Sequence, residues 1–315
     1  MKLHWQTKAK IMKTCALLPA GEALYKFIQK TFGTLKADPM ARIPAQIEMA
    51  RWIFEMGGKI EGKTFFEVGT GHNPIVPIGF FLCGAEKVIT VDLNRRLDLG
   101  ILKKSLVWMA ENREEVCGYY NGIAKGMVFD ERMDLIDKLK EMPEKFLSEA
   151  NIQYLAPADA ADIGLPDGSV DYHISTTVFE HIPGEDIKRI LKEAKRILKK
   201  DSIAIHFIDL SDHFQHQDKS ITPINFLRYS EKEWERIAGN EFAYCNRLRV
   251  SDYLALFEET GFDVCRNEAV VDDEARESTG KGFMIDGRFR DYSVDDLCVT
   301  GLRVALKENK KAAGI

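Results

Sequence analysis

A cluster of titratable side chains in the second half of the sequence could transfer protons. It holds three histidines and three aspartates: His206, Asp209, Asp212, His213, His216 and Asp218. A histidine near its ordinary pKa can accept a proton at neutral pH, and a neighbouring carboxylate can orient its ring. We therefore predict that His213 is a general base and that Asp209 or Asp212 orients it.

Two other interpretations of this cluster stay open. In the first, the polar groups only cap a strand and connect the turns of a loop. In the second, several of them hold a divalent metal, because His-x-x-His with an aspartate offers nitrogen and oxygen ligands. We assign no metal ligand from the sequence. His181, upstream of the cluster, is interpreted as structural or ligand-adjacent rather than as a base.

Three arginines further along the chain could bind an anionic or polyhydroxy substrate: Arg228, Arg247 and Arg249. Their planar guanidinium groups suit carboxylate or phosphate recognition. The alternative is that they form ion pairs with nearby acids such as Glu231 and Asp252.

A glycine-rich segment, Glu67-Val68-Gly69-Thr70-Gly71-His72-Asn73-Pro74, follows a short apolar run. Glycines in this position let the backbone turn sharply and approach a ligand closely. Asp92 follows about 20 residues later, where a carboxylate can accept hydrogen bonds from both hydroxyls of a ribose. Pro74 stands where a dinucleotide fingerprint has its third glycine, and it removes a backbone donor. The pair therefore indicates an adenosine-bearing ligand and argues against a pyrophosphate.

A third segment, Ala158–Asp171, is acidic and precedes another apolar run. Together the three segments resemble the class I S-adenosylmethionine-dependent methyltransferases, in particular the type 11-like group. The match runs through Glu67, Gly69, Gly71, Asp92, Asp159, Asp162, Pro166, Asp167, Ser169 and Asp171. The segments Ser175–Pro183 and Arg196–Leu198 are also similar to that family, and the resemblance covers roughly residues 45–210.

The resemblance implies that S-adenosyl-L-methionine is the cofactor and that ten residues bind it: Glu67, Gly69, Thr70, Gly71, Asp92, Leu93, Asp159, Ala160, Ser175 and Thr176. Glu67 would meet the amino group of the methionine part, and Asp92 would hold the ribose. Asp159 would accept from the adenine amino group. The sequence departs from the family pattern at Asn73, where the loop's third glycine is expected, and this affects the geometry of the loop.

The surrounding elements alternate between strand and helix patterns, which favours an α/β sheet with parallel strands. The predicted strands are 64–68, 88–91, 152–155, 170–175, 203–208, 262–271 and 297–306. Apolar residues at helical spacing predict a helix over 187–198, and Ser251 is predicted to cap a helix over 252–260. The resemblance implies a Rossmann-like seven-stranded methyltransferase sheet with helices on both faces.

The predicted organisation is a helical N-terminal arm or lid over residues 1–44 and a methyltransferase domain over 45–315. Residues 97–150 are predicted to be a helical insertion and 211–250 a substrate-covering region. Residues 1–36 carry seven lysines and one glutamate, and Leu24, Phe27, Ile28 and Phe32 recur at helical spacing. Such a helix could pack on the main domain, act as a lid or rest peripherally on an anionic membrane surface.

Composition excludes several classes of protein. The net charge of −5 disfavours broad nucleic-acid binding, and the six cysteines include no C-x-x-C pair. The longest apolar stretch, Ile75–Ala85, is too short to span a bilayer, so we expect a cytoplasmic protein without an integral membrane segment. The predicted reaction is methyl transfer to an oxygen or nitrogen of a small molecule, such as a sugar, lipid-linked or secondary-metabolite intermediate. The alternatives are a nicotinamide-dependent oxidoreductase and an inactive S-adenosylmethionine-binding protein.

Overall fold

The computed structural model describes residues 3–31, 35–124 and 126–309, and seven strands of this part form one mixed sheet. The strands are β1 (Thr64–Val68), β2 (Lys87–Val91), β3 (Ile152–Leu155), β4 (Val170–Thr176), β5 (Leu198–Asp209), β6 (Phe262–Val271) and β7 (Val299–Glu308). Their order in the sheet is β3-β2-β1-β4-β5-β7-β6. The predicted fold class, a seven-stranded Rossmann-like sheet with helices on both faces, is confirmed.

The first four strands run parallel and in register. Val68 at the end of β1 lies beside Val91 of β2 and Ser175 of β4, and Val91 lies beside Leu155 of β3. All seven residues of β4 are buried, as expected for a parallel strand covered on both faces. The carboxyl ends of these strands therefore meet at one edge of the sheet, where α/β folds bind ligands.

Helices connect and flank the strands. They are α1 (Trp5–Ala16), α2 (Gly21–Thr31), α3 (Ile43–Glu55), α4 (Ile75–Leu82), α5 (Leu99–Glu111), α6 (Arg113–Tyr119), α7 (Met127–Leu139), α8 (Pro143–Glu149), α9 (Gly184–Ile197), α10 (Glu231–Ala238), α11 (Val250–Glu259), α12 (Asp273–Gly280) and α13 (Val294–Leu297). Four of them, α5 to α8, lie between β2 and β3 in the segment predicted to be helical. No helix of the described residues is both long and apolar enough to cross a membrane.

The chain divides into two compact units. Among the described residues, the strand unit comprises those of 36–176, 189–206 and 306–309, and the arm unit comprises those of 3–35, 177–188 and 207–305. Large aromatic side chains fill the interior of each. They are Trp52, Phe65, Phe80 and Phe146 in the strand unit, and Trp5, Phe214, Phe226, Trp234 and Phe289 in the arm unit. The predicted boundary between residues 44 and 45 stays a prediction.

The start of α11 differs from the prediction. The helix begins at Val250, and the Asp252 carboxylate accepts the backbone N–H of Arg249 at 2.8 Å. Ser251 lies inside the first turn, where its hydroxyl donates to Asp296 at 2.6 Å. Ser251 is therefore wrong as the N-cap, because the carboxylate of Asp252 already satisfies the free donor at this helix start.

The N-terminal arm forms two helices that differ in exposure. Trp5 of α1 is 5% exposed and packs against Phe214, whereas Leu24 and Phe27 of α2 are 40% and 66% exposed. The α2 residue that packs inward is Tyr25, whose ring stacks on Phe242 at 4.6 Å. The stripe through Leu24 and Phe27 is therefore exposed, which does not support the alternative that α2 packs on the rest of the protein through this stripe.

Phe32, the fourth member of that stripe, lies outside the described residues. The exposed apolar residues of α2 are compatible with a peripheral membrane contact of residues 1–36, which stays a prediction.

Candidate functional site

The loop after β1 is anchored by a buried carboxyl group. Glu67 is 3% exposed, and its Oε2 accepts the hydroxyl of Thr90 on β2 at 2.5 Å. The Thr90 oxygen in turn lies 2.5 Å from the hydroxyl of Thr70 in the loop. Burial raises the pKa of Glu67 to about 8, although the Thr90 hydroxyl opposes this shift. Glu67 thus holds the loop through a short chain of hydroxyls and is largely protonated at neutral pH.

Asp92, directly after β2, is held by the loop it faces. Gly71 has a φ of 65°, and its N–H donates to Oδ1 of Asp92 at 3.3 Å. The Tyr154 hydroxyl on β3 donates to Oδ2 at 3.2 Å. Burial raises the pKa of Asp92 to about 6, against the lowering effect of the Gly71 N–H and Tyr154. The carboxylate is therefore fixed in position and ionised above about pH 6.

Gly71 is required by the geometry of this loop. Its positive φ is a conformation that glycine adopts without strain, and an added Cβ would have no heavy atom within 4 Å. Open space above the backbone is what the close approach of a ligand needs. The glycine therefore serves both the turn and the approach.

At Asn73, where the family pattern has a glycine, the side chain connects the loop to helix α5. The Asn73 side-chain amide donates to Ser105 of α5 at 2.8 Å, and its Oδ1 is buried with no hydrogen-bond partner in the described part of the chain. Helix α4 begins at the residue after Pro74. Asn73 thus replaces the flexibility of a glycine with a fixed contact to α5.

The residues predicted to contact the adenine lie in the loop after β3. Asp159 accepts the Ala161 N–H at 2.8 Å and forms an ion pair with Arg189 at 3.1 Å. Ala160 is 7% exposed, whereas Leu93, next to Asp92, is 69% exposed. Asp159 is therefore already engaged by the protein, and its role toward adenine stays a prediction.

At the end of β4, Ser175 and Thr176 are buried. The Ser175 hydroxyl lies 2.8 Å from Nδ1 of His206 on β5. Burial, assisted by His173, holds the pKa of His206 well below its usual range. Thr176 contacts the sulfur of Met49 at 4.0 Å. His206 therefore stays neutral inside the sheet and positions Ser175.

The arm unit contains the predicted proton-transfer group. Oδ2 of Asp209 lies 3.5 Å from Nε2 of His213 and 3.5 Å from Nε2 of His216, while its Oδ1 accepts the Ser211 hydroxyl at 2.6 Å. Burial would raise the pKa of Asp209, but His213 and Ser211 outweigh it and lower the pKa to about 2. Burial by itself would lower the pKa of His213. Asp209 and Glu180 outweigh this effect, so the pKa of the ring is raised.

Asp212, the alternative orienting residue, is held in another way. It is 1% exposed, and its oxygens accept the Phe214 N–H at 2.9 Å and the Asn225 amide at 3.2 Å. Burial raises its pKa to about 6. Its hydrogen bonds hold the loop together, and Asp209 is the carboxylate at ion-pair distance from His213.

Glu180 was missed by the sequence analysis. It is 1% exposed, and neither carboxyl oxygen has a hydrogen-bond partner among the described residues. Burial raises its pKa to about 8. The nearby His213 ring and backbone N–H groups lower the pKa, but less than burial raises it. The ring of the adjacent His181 lies 4.8 Å from that of His213, centre to centre. An acid directly before a histidine, soon after a strand end, was the available signal.

The three predicted substrate arginines differ in exposure. Arg247 is 1% exposed and donates to the carbonyls of Phe226 and Tyr229 and to Glu231. Arg249 is fully buried, and its donors reach backbone carbonyls, including that of Leu210 at 3.0 Å. These bonds support the structural alternative for both.

Arg228 is exposed and lies over the ring of Phe283 at 5.6 Å from its centre. It is the arginine of the three whose side chain remains accessible to a substrate. Its substrate role stays a prediction.

Two residues that complete the loop site, Thr90 and Tyr154, were also missed. Each lies on a predicted strand, in register with its neighbours on β1 and β2. Their hydroxyls at the carboxyl end of a parallel strand were the signal that could have indicated them.

Comparison with known protein families finds a match to one segment of this chain. Residues 129–206 match a family model described as a methyltransferase domain. This segment runs from α7 to β5 and includes the acidic run after β3. The search of curated proteins found no match to this sequence.

Several solved structures are similar. A S-adenosylmethionine-dependent methyltransferase from Methanosarcina mazei is 10% identical with a TM-score of 0.46, covering 82% of this chain and 97% of that one. The phosphoethanolamine N-methyltransferase 2 of Haemonchus contortus is 14% identical with a TM-score of 0.46, covering 84% and 53%. The geranyl diphosphate C-methyltransferase of Streptomyces coelicolor is 12% identical with a TM-score of 0.46, covering 83% and 78%.

The family match and the fold agree with each other. The matched segment contains the acidic run Ala158–Asp171 that the sequence analysis singled out, together with β3, β4 and most of β5. The sheet has the seven strands that the resemblance implied. We conclude that residues 129–206 of this chain are similar to a methyltransferase domain and that the described strands around them form one seven-stranded sheet.

Proposed function

We propose that this protein transfers a methyl group from S-adenosylmethionine to an oxygen or nitrogen of a small molecule. The observation that supports this most strongly is Asp92, an ionisable carboxylate held at the end of β2 by the Gly71 N–H and Tyr154. A carboxylate at this edge of a parallel sheet suits the two hydroxyls of a ribose. The Gly71 backbone offers the close approach that the rest of the cofactor needs.

The remaining cofactor contacts follow from the same edge. Glu67 would meet the amino group of the methionine part, and Ser175 and Thr176 would border that end. Gly69 and Thr70 would follow the cofactor along the loop, and the segment around Asp159 and Ala160 would meet the adenine. The cofactor supplies an activated methyl group on its sulfonium, so the protein mainly has to align the acceptor with it.

The acceptor must lose a proton if it is a hydroxyl or an ammonium group. We assign this proton to His213, whose ring is at ion-pair distance from Asp209. In this step the acceptor oxygen would form a bond to the methyl carbon as the bond from that carbon to sulfur breaks. The proton of the acceptor hydroxyl would pass to His213. Asp209 stabilises the imidazolium that forms, and Asp212 holds the loop that carries both residues.

The acceptor is assigned by class only. A sugar, a lipid-linked intermediate or a secondary metabolite would offer the hydroxyl or amino group, and exposed Arg228 would meet an anionic part of it. The methyltransferases with similar folds include an N-methyltransferase and a C-methyltransferase. The acid–base group around His213 favours an acceptor that must be deprotonated.

The test is calorimetric titration of the full chain with S-adenosylhomocysteine, run beside NAD. We expect saturable one-site binding of S-adenosylhomocysteine alone, weakened at least tenfold in Asp92→Ala. Asp137→Ala, which removes a carboxylate from the surface of α7, is the matched control and should bind as the wild type does. Binding of NAD alone would replace the proposal with a nicotinamide-dependent oxidoreductase, and binding of neither would refute the cofactor assignment.

A catalytically inactive S-adenosylmethionine-binding protein would bind S-adenosylhomocysteine in the same titration. It would form no methylated product with any hydroxylated or amino acceptor offered to it. Product formation with a single acceptor would exclude this alternative.

A further inference from the structure

Three side chains of the arm unit converge: Glu180, His181 and His213. One potential ligand atom from each lies within 4.8 Å of the others. Two imidazole nitrogens and a carboxylate oxygen are donors that first-row divalent metals prefer. Ligand atoms around one zinc ion lie about 3.3 Å apart, since each bond is about 2.0–2.1 Å, so binding requires the group to contract by up to about 1.5 Å.

The orientation of His181 suits a ligand. Its Nδ1 lies 2.9 Å from the backbone carbonyl oxygen of Tyr244, a partner that accepts the ring N–H. This places the proton on Nδ1 and the lone pair on Nε2. Metal-bound histidines in proteins are oriented by the same kind of contact, from the second ring nitrogen to a carbonyl or carboxylate.

Glu180 gives a second, independent indication. A carboxyl group that is 1% exposed normally has hydrogen-bond partners, because burying a polar group without them is unfavourable. Both oxygens of Glu180 lack a partner in the described part of the chain, although the side chain contributes to this cluster. A cation bound between Glu180 and the two rings would supply the missing partner.

The surrounding charge also favours a cation. Asp209 lies 3.5 Å from Nε2 of His213 and adds a second carboxylate beside the cluster. With both carboxylates ionised, a divalent ion would neutralise the group. His216 lies next to His213, with ring centres 5.1 Å apart, but its Nε2 is engaged by the Ser211 hydroxyl at 2.9 Å.

We propose that Glu180, His181 and His213 form a binding site for one divalent first-row transition-metal ion of the zinc type. The ion would occupy a lone pair of His213, so this ring either binds the metal or takes a proton, not both at once. In the loaded protein the ion itself would favour deprotonation of an acceptor hydroxyl bound to it. This last consequence rests on the proposed function, whereas the binding itself does not.

The experiment is a titration of the full, chelator-treated protein with Co²⁺, followed by its visible absorption, and a parallel calorimetric titration with Zn²⁺. We expect one ion per chain and the visible bands of cobalt with nitrogen and oxygen ligands. Glu180→Gln and His181→Asn should each weaken binding at least tenfold. His216→Asn is the matched control, because it removes a neighbouring imidazole from outside the proposed set.

Each outcome is decisive. Wild-type affinity in both Glu180→Gln and His181→Asn would overturn the site, as would the absence of saturable Co²⁺ binding. A loss in His216→Asn as large as in His181→Asn would show that the metal binds elsewhere in the histidine cluster. If Glu180→Gln does not fold, as its thermal unfolding curve would show, the exposed His181 carries the test alone.

Cobalt binding is measured without cofactor or acceptor. It can therefore fail while S-adenosylhomocysteine binds normally, and the reverse can also occur. The metal site and the proposed function are tested separately.

Discussion

At the scale of single residues, the site depends on carboxyl groups whose pKa values burial has raised. Asp92 and Glu67 lie at the ends of neighbouring strands, yet their raised pKa values, about 6 and about 8, leave one mostly ionised and the other mostly protonated at neutral pH. Asp92 is suited to accept from ribose hydroxyls. Glu67 is suited to change its protonation state when a cationic group arrives.

Asp92 predicts the pH dependence of cofactor binding. Its pKa is raised to about 6, so the neutral form takes over as the pH falls through 6 and one oxygen then carries a proton. We expect the affinity for S-adenosylhomocysteine to decrease as the pH is lowered from about 8 to about 5, with a midpoint near 6. Calorimetry across this range measures it, and Asp92→Asn should bind weakly without this midpoint. The same midpoint in Asp92→Asn would assign the titration to another group.

Glu67 predicts that cofactor binding releases a proton. An ammonium group beside a carboxyl group favours its charged form and lowers its pKa from about 8. Near pH 7 the bound cofactor should therefore displace part of a proton, and this release should disappear as the pH rises above 8. The measurement is the binding enthalpy in two buffers of different ionisation enthalpy. Glu67→Gln should give equal enthalpies in both, and equal enthalpies in the wild type would contradict the contact.

His213 predicts a separation of turnover from cofactor binding. Removing a general base lowers the rate by about 10²–10⁴-fold. We expect His213→Asn to reduce kcat to that extent for any hydroxyl acceptor that the wild type methylates, with unchanged affinity for S-adenosylhomocysteine. His216→Asn is the control, because Ser211 already engages that ring. A kcat within threefold of the wild type would remove His213 from the proton transfer.

At the scale of elements, single buried side chains hold the pieces in place. Asp171 on β4 accepts Lys63 before β1 at 2.8 Å and Lys199 on β5 at 2.7 Å. Asp171, the last residue of the acidic run Ala158–Asp171, therefore ties β4 to the residue before β1 and to β5. Its part is structural. Within the arm unit, helix α1 is held in place by Trp5, whose backbone N–H donates to Asp218 at 2.8 Å and whose ring packs on Phe214.

The burial of Trp5 predicts how much this packing contributes to the free energy of unfolding. Its side chain is 5% exposed and belongs to the apolar cluster of the arm unit, so its removal leaves a cavity. We expect Trp5→Ala to lower the free energy of unfolding by about 3 kcal/mol, measured by urea denaturation. Leu17→Ala, at a position 77% exposed, should change it by less than about 0.5 kcal/mol. Equal effects of the two changes would show that α1 does not depend on this contact.

At the scale of the whole molecule, cofactor binding should stabilise the folded chain. A ligand that binds only the folded state adds about 2.7 kcal/mol to the free energy of unfolding at 100 times its Kd. We expect S-adenosylhomocysteine at that excess to raise Tm by several degrees in a thermal scan. NAD at the same concentration should leave Tm unchanged, and S-adenosylhomocysteine should raise the Tm of Asp92→Ala by at most about half as much as that of the wild type. A shift caused by NAD alone would contradict the proposed cofactor.

The sequence by itself determined the strands that form the site and the residues at their ends. β1 and β3 have the predicted bounds, because a short, mainly apolar run of residues is a local signal. Gly71 and Asp92 were predicted in the same way, since chain position fixes which residue follows a parallel strand, whereas the role of Glu67 was predicted from the family resemblance.

The tertiary structure decided what surrounds those residues. Tyr154 reaches Asp92 across 62 residues of sequence, and His206 reaches Ser175 across 31. Arg249 lies fully buried among carbonyl groups. Burial and hydrogen-bond partners come from elements distant in the chain, and they set each group's pKa and availability. A single sequence does not encode these contacts as a local pattern.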